Sequence, residues 1–165
     1  MKRSLMASGG LLLVGVVVAG GSAAAAGGGR GDGARAGANA RAIHVVEHAV
    51  DDTITHSGGG GDAVGDILTF HNDVFDRTDT TQVGTDNGFC IRTVFTADTS
   101  TWECTWTTTL ANGSLTAQGP FYETPLADST LAITGGTGSF RRARGEMLLH
   151  ALNPTEFAFT FHVIR

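Results

Sequence analysis

Lysine is almost missing from this chain of 165 residues, since Lys2 is the only one. Lys2 lies in a segment that we expect to be removed, so the mature protein would have no lysine for Schiff-base or pyridoxal phosphate chemistry, or for a P-loop. Charged residues make up 16% of the chain, which is low and argues against a disordered acidic chain or a coiled coil. The formal net charge is -5 and no basic stripe is present, so we do not expect nucleic-acid binding.

Sequence motifs of metal sites and of covalent catalysis are also missing. The histidines form no His-x-His pair and the two cysteines form no Cys-x-x-Cys pair, so we predict neither a metal site nor a cofactor. No Gly-x-Ser-x-Gly motif is present, which argues against a serine hydrolase. Paired carboxylates for glycoside hydrolysis stay open as an alternative, because the chain has 16 acidic residues.

The first 42 residues do not have the composition of a folded domain. Residues 1–26 are predicted to be a secretory signal peptide, with two basic residues, an apolar run over 11–18 and a cleavage site near Ala26. This run is shorter than the roughly 20 residues that span a bilayer, so we expect no stable membrane insertion, although an uncleaved anchor is an alternative. Residues 27–42 are rich in Gly, Ala and Arg and are predicted to be a disordered linker. We therefore expect a secreted protein whose folded domain covers residues 43–165.

Alternation of apolar and polar residues dominates the chain after residue 43. This pattern, with abundant Thr, Val, Phe and Trp, predicts eight strands. Asn112-Gly113 predicts a type I′ hairpin between two of them. Short connections between the strands indicate a meander that is either closed into a barrel or packed as a sandwich. The strands are predicted at residues 43–50, 66–75, 84–96, 101–110, 114–118, 129–134, 145–151 and 155–164.

The two cysteines lie on neighbouring predicted strands. A turn over residues 97–100 places Cys90 opposite Cys104 and Arg92 opposite Trp102. Residues directly opposite each other on paired strands are within disulfide reach, and a secreted chain meets oxidising conditions. We therefore predict a disulfide between Cys90 and Cys104. A reactive thiol at Cys90 is the alternative, but no residue pattern supplies its base.

The acidic residues fall into two groups by position. Most of them, Asp86 included, lie in predicted turns, where aspartate caps backbone groups and stays in water. Glu47 and Glu146 lie within apolar strands, where a carboxyl group that faces a barrel interior would have a raised pKa. A solvent-facing position is the alternative for both, and it is the one we favour for Glu146.

Five blocks of the sequence, in the same order and spacing, resemble the allene oxide cyclase family: GDILTFHN at 65–72, VGTDNGFC at 83–90, QGPF at 118–121, LAITGGTGSF at 131–140 and ARG at 143–145. The related dirigent proteins share the GGTG-x-F stretch. The resemblance extends from about residue 43 to residue 165. It implies an eight-stranded antiparallel β-barrel with an apolar cavity, in a homotrimer. It also implies an isomerase that works by shape and desolvation with few catalytic groups.

The resemblance also implies functional residues. Asn72 matches the family asparagine that helps to hold a water, and Glu47 matches the first-strand glutamate that stabilises developing charge. Cys90 matches a cavity cysteine. Phe121 stands where the plant enzymes have tyrosine, and Ala49 stands where the family has asparagine, so fewer hydrogen-bonding groups are expected in this cavity.

Alternation extends the predicted cavity wall to Leu68 and Phe70, on the same strand face as Asn72. A mostly apolar lumen with two polar residues, Glu47 and Asn72, is typical of a small-molecule site. The leading prediction is a secreted barrel that binds a small apolar ligand and steers its cyclisation or coupling. The alternatives are a non-catalytic carrier of extracellular lipophiles and a structural oligomeric barrel whose lumen is filled by Phe and Trp.

Overall fold

The computed structural model describes residues 41–164. The predicted signal peptide and nearly all of the predicted linker lie outside these residues. The first strand begins at Arg41, two residues before the predicted start of the domain. Between residues 41 and 164 there is no helix with the length and hydropathy needed to cross a membrane.

The described part of the chain is almost entirely β-structure, with a short 3₁₀ turn at Gly138–Phe140. Eight long or medium strands and one short strand follow each other with tight connections. Their bounds are β1 Arg41–His48, β2 Asp52–Thr55, β3 Ile67–Asp76, β4 Gln82–Phe95, β5 Ser100–Leu110, β6 Gly113–Thr124, β7 Ser129–Gly136, β8 Arg144–Asn153 and β9 Glu156–Ile164.

Antiparallel pairing closes the sheet into a barrel. Strands β3 to β9 pair in sequence order, β9 pairs with β1, and β1 returns to pair with β3. The predicted eight-stranded antiparallel barrel is thereby confirmed. The additional strand β2 pairs with the first half of β3, next to β1 on the same edge. The sequence analysis missed β2 because all four of its residues are exposed and show no apolar alternation.

The hairpin between β5 and β6 is present, but its turn differs from the predicted one. Leu110 pairs with Gly113, so the two loop residues are Ala111 and Asn112, and neither has positive φ. The turn is therefore not of type I′. Gly113 has a φ of 141°, and a side chain there would collide with the carbonyl oxygen of Thr137. The glycine is needed for this close approach.

The two ends of the barrel differ in packing. The end with the Gly138–Phe140 turn is a solid apolar core, formed by residues that are almost wholly buried: Leu115, Leu131, Phe140, Ala143, Met147, Phe161 and Val163. The opposite end, where β1, β4, β6 and β8 finish, contains a cavity. The fully packed end gives the barrel its rigid base, and the cavity lies above it.

Strand alternation places side chains in the lumen as predicted. Cys90 pairs with Cys104, and Arg92 pairs with Trp102, in the predicted register. These four side chains are all buried. Glu146, on β8, is exposed. Phe157, Phe159 and Phe161 share the inner face of β9, where they pack as core residues.

Candidate active site

The cavity has an apolar wall and one polar end. The cavity volume is about 60 Å³, and the whole empty space, with the solvent at the open mouth included, is about 410 Å³. Aromatic and aliphatic side chains form most of the wall, and carboxyl and amide groups lie together on one side. The lining residues are Glu47, Ala49, Asp52, Leu68, Phe70, Asn72, Cys90, Cys104, Trp106, Phe121, Leu149, Phe157 and Phe159.

All of the cavity residues named from the sequence line this one space. They are Glu47, Leu68, Phe70, Asn72, Cys90 and Phe121. Their roles remain predictions. Asp52 was missed because it lies in the unpredicted strand β2.

Asn72 holds the polar end together. Its side-chain amide donates hydrogen bonds to Glu47 Oε1 at 3.1 Å and to Asp52 Oδ1 at 2.9 Å. Its oxygen accepts hydrogen bonds from the backbone N–H groups of Val50 and Asp51. Both donors and both acceptor positions of the amide are therefore used within the protein. Asn72 consequently orients Glu47 and fixes the chain between β1 and β2, rather than offering a free group to a ligand.

Glu47 is a carboxyl group in an apolar setting. Only 6% of its surface is exposed, and it pairs with Phe157 of β9 and Val74 of β3. Burial raises the pKa of Glu47 to about 8, the neighbouring Asp86 adds to the rise, and the Asn72 hydrogen bond opposes it. A carboxyl group of this kind exchanges its proton near neutral pH.

Asp86 lies in β4 and not in a turn in water, so the sequence-based placement was wrong. It is fully buried, directly opposite Asn72 on β3 and Thr108 on β5. Neither carboxylate oxygen has a hydrogen bond of ordinary geometry within residues 41–164. Burial raises the pKa of Asp86 to about 7, and the nearby Thr108 hydroxyl opposes part of this rise. Asp86 lies four residues before Cys90 on the same strand, so the two side chains share one face of the sheet. This alternation was the signal that could have placed Asp86 in the lumen.

Aromatic rings and the disulfide form the apolar wall. The Trp106 ring centroid lies 5.7 Å from that of Phe159 and 6.0 Å from that of Phe70. A side chain at Gly88, which pairs with both Phe70 and Trp106, would lie 2.8 Å from the Phe70 ring, so glycine makes room for these rings. The Cys90–Cys104 disulfide is present as predicted and closes the wall between β4 and β5.

Comparison with known proteins gives the same assignment as the strand topology. The family model of the allene oxide cyclase barrel-like domain matches residues 44–163. The chain belongs to this family. Among solved structures it is similar to a pyocyanin demethylase, with 29% identity and a TM-score of 0.66, over 75% of this chain and 100% of that chain.

Two other solved structures are similar to this allene oxide cyclase-like barrel in fold alone. A pterocarpan synthase dirigent protein is 16% identical with a TM-score of 0.61, over 76% of this chain and 83% of the other. An exo-specific intermolecular Diels-Alderase is 12% identical with a TM-score of 0.60, over 76% of this chain and 98% of the other.

A second polar cluster lies beyond the disulfide, outside the cavity of this allene oxide cyclase-like barrel. The Arg92 guanidinium is 2% exposed and stacks over Trp102, 4.2 Å from the ring centroid. Its nitrogens lie 3.0 Å from Asp62 Oδ1, 3.2 Å from Glu123 Oε2 and 3.7 Å from Asp66 Oδ2. These contacts join β4 to the loop before β3 and to the end of β6.

Asp66 is the buried anion of this cluster. It accepts hydrogen bonds from the backbone N–H groups of Ser57 and Ala63, and His56 contacts its carboxylate at 3.2 Å. The Ser57 hydrogen bond is the main reason why the pKa of Asp66 is lowered to about 2. This carboxylate fixes the long β2–β3 loop against the barrel.

Two clusters bring one histidine together with two carboxylates. In each, the possible ligand atoms lie within 4.8 Å of one another. In the cluster of His56, Asp62 and Asp66, the Arg92 guanidinium already contacts both carboxylates, so a cation would compete with it. The clusters are His48–Asp79–Glu156 and His56–Asp62–Asp66. Neither lies in the cavity, and no step of the proposed chemistry uses them.

The buried acid pair makes the stability of this allene oxide cyclase-like barrel pH-dependent. Unfolding lowers the pKa of Glu47 from about 8 to 4.5 and that of Asp86 from about 7 to 3.8. The folded protein therefore holds more protons than the unfolded chain between about pH 4 and 8, so its stability should fall as pH rises through this window. The lowered pKa of Asp66 acts in the opposite direction only below about pH 4.

We expect the free energy of unfolding to fall by at least about 1 kcal/mol from about pH 5.5 to 8.5. Urea unfolding at a series of pH values measures this slope. The double variant Glu47→Gln/Asp86→Asn should flatten the slope, and Glu146→Gln, at an exposed acid, should leave it unchanged. A double variant with the wild-type slope would show that other groups cause it.

Proposed function

We propose that this barrel binds a small, largely apolar molecule in its lumen and steers its cyclisation or coupling, with Glu47 as the acid–base group. The observation that carries the proposal is the cavity, with its apolar wall and single polar end. Such a site holds a ligand through apolar contact and orients it through a few polar groups.

Glu47 supplies the proton transfer in this proposal. Its raised pKa lies near neutral pH, so the group can give a proton to the substrate and take one back in the same turnover. An isomerisation then leaves the carboxyl group unchanged. Its anionic form stabilises positive charge that develops in the substrate, and the rigid aromatic wall selects the conformer that closes its ring.

Asn72 is a positioning residue in this scheme. Its hydrogen bond holds the Glu47 carboxyl group and lowers its pKa. On any substrate that the protein turns over, Glu47→Gln should abolish acid–base catalysis. Asn72→Ala should shift the pH profile to higher pH, which a purely structural loss of stability would not do. An unshifted profile would contradict this role.

The family supports cyclisation or coupling as the reaction type. One solved relative is named as a Diels-Alderase and another as a pterocarpan synthase dirigent protein, and both share only the fold. The pyocyanin demethylase, at 29% identity over its full length, is named for its action on pyocyanin. An aromatic ligand would suit the rings of Phe70, Trp106 and Phe159.

A non-catalytic carrier is the second candidate. It is favoured by Phe121, which offers no hydroxyl to the cavity, and by Asn72, whose hydrogen-bonding capacity is already used. A carrier would bind the same ligands and leave them unchanged after incubation, whereas an enzyme would alter their ring structure or stereochemistry.

Titration with the neutral fluorescent probe N-phenyl-1-naphthylamine tests the cavity. We expect saturable binding of one probe per chain. Leu68→Trp, on the cavity face of β3, should weaken binding at least about tenfold by filling the cavity, while Thr69→Trp, on the opposite face, should not. Equal binding by both variants, or no binding by the wild type, would contradict an open ligand site.

Secretion and trimerisation belong to the same proposal. The disulfide is consistent with an oxidising, extracellular location. The outer face of β3 and β4 exposes Ile67, Phe89 and Ile91 close together, which a homotrimer would cover. The mass of the protein recovered from the medium tests cleavage near Ala26, and sedimentation equilibrium tests the trimer.

A further inference from the structure

Three carboxyl groups lie together at the polar end of the cavity, and each becomes negative when it loses its proton. Glu47 and Asp52 line the cavity, and Asp86 lies beside them on the inner face of β4. None of these carboxyl groups forms an ion pair with a residue in the described range 41–164. Asp86, which is fully buried, has no hydrogen bond of ordinary geometry there, and the Thr108 hydroxyl is the polar group beside it. A buried carboxylate without a partner is costly, so the site favours a cation.

The strands around this end supply no compensating charge. β1 contributes Glu47, β2 contributes Asp52 and β4 contributes Asp86. The facing residues from β3 and β5 are Asn72 and Thr108, which are neutral. The contributions from β8 and β9 are Leu149 and Phe157. The nearest histidine along the chain, His48, stacks on Phe75, 4.2 Å between ring centroids, and contacts Asp79 in a loop.

The wall beside these carboxyl groups is also suited to a cation. Trp106, Phe70 and Phe159 present ring faces and edges around the same space. A cation held near an aromatic face is attracted by the ring quadrupole, and most strongly by tryptophan. An apolar body with a positive charge at one end therefore matches both parts of the cavity.

We propose, building on the ligand-binding function above, that the ligand of this cavity is a cationic aromatic or similarly apolar molecule whose positively charged nitrogen lies against Glu47 and Asp52. Asp86 pairs with Asn72 between β4 and β3 and, when ionised, adds to the negative potential. An anionic ligand such as a fatty acid would instead add a further negative charge to this end and is excluded from the ligand class.

Cation binding is coupled to proton release. Below the raised pKa values of Glu47 and Asp86 the pair holds protons, and a bound cation favours their loss. Affinity for a cation should therefore increase as pH rises toward 8, whereas affinity for a neutral molecule of the same shape should change little. This difference separates charge recognition from apolar contact.

Two probes of nearly identical shape test the proposal: 1-methylquinolinium, which is permanently cationic, and 1-methylnaphthalene, which is neutral. Isothermal titration calorimetry measures both affinities at about pH 8.5 and 5.5 at one ionic strength. At the higher pH we expect the cation to bind about tenfold more tightly than the neutral probe. At the lower pH this preference for the cation should fall below about threefold. Near neutral pH, the binding enthalpy of the cation should depend on the ionisation enthalpy of the buffer, because its binding releases protons from the protein. The binding enthalpy of the neutral probe should not depend on the buffer.

Matched variants assign the effect to the cavity. Glu47→Gln and Asp86→Asn should each reduce the preference for the cation, because each removes a charge without changing the shape of the side chain. Glu146→Gln, at an exposed acid on the outer face of β8, should keep the wild-type preference. If Glu146→Gln reduced the preference as much as Glu47→Gln does, general attraction to the acidic surface would explain the binding and the proposal would fail.

The remaining outcomes separate this proposal from the proposed function. Equal affinities for the two probes, or tighter binding of 1-methylnaphthalene at both pH values, would overturn the cationic ligand class and leave the small-molecule site intact. Failure of both probes to bind would overturn the cationic ligand and the ligand-binding function together.

Discussion

Arg92→Met should lower the free energy of unfolding by about 3 kcal/mol, because it removes a buried cation that contacts the buried Asp66 and the partly exposed Asp62 and Glu123. Asp66 would then lie fully buried beside no positive guanidinium, and Asp62 and Glu123 would lose their contacts. Methionine has a similar length, so the loss measures charge and hydrogen bonding more than packing. Urea unfolding at neutral pH provides the measurement.

Two further variants interpret that result. Arg92→Lys keeps the positive charge but loses the planar guanidinium group. We therefore expect its free energy of unfolding to lie between those of the wild type and Arg92→Met. Arg141→Met, at an exposed arginine after the 3₁₀ turn, should change stability by no more than about 0.5 kcal/mol. If Arg92→Met were as stable as the wild type, the cluster would not hold the β2–β3 loop to the barrel.

The disulfide is the second large contribution to stability. Cys90 and Cys104 are separated by 14 residues, and a bridge that closes a loop of this length stabilises a protein by about 3 kcal/mol in the chain-entropy model. The double variant Cys90→Ala/Cys104→Ala should therefore lose about 3 kcal/mol, or roughly 10 °C in Tm. Thermal unfolding followed by circular dichroism measures the change.

The reduced wild-type protein is the matched control for the double variant. It keeps both sulfur atoms and lacks only the bond between them. It should show nearly the same loss after unfolding and refolding in reductant, and the oxidised protein should have no free thiol when denatured. Free thiols in the oxidised sample, or a variant as stable as the wild type, would contradict the bridge.

Strand alternation accounts for most of what the sequence could predict. The period of two places Glu47, Asn72 and Cys90 on inner faces, and antiparallel pairing then fixes Cys90 opposite Cys104. These positions depend on neighbouring residues and on one turn, which are visible in the sequence. The cavity wall follows from the same rule.

The parts that were missed depend on contacts between distant residues. Asp86 was assigned to a turn although the predicted strand 84–96 covers it, and only its pairing with Asn72 and Thr108 shows that it is buried between β3 and β5. β2 has no apolar pattern, because it lies at an exposed edge and is held by pairing with β3. The saturated hydrogen bonding of Asn72 depends on the loop after β1, whose path no local pattern indicates.

The disulfide in the cavity wall has a chemical consequence for whatever the barrel binds. Because Cys90 and Cys104 are joined, the described residues include no free thiol, and they include no lysine either. In the cavity, a reactive electrophile such as an epoxide or a quinone would meet carbon, bridged sulfur and carboxyl groups, but no thiol and no lysine amine. The cavity wall therefore lacks the side chains that react fastest with such electrophiles, a free thiol and a lysine amine. Reduction of the disulfide would expose two thiols to the ligand, and a reactive ligand would then alkylate them.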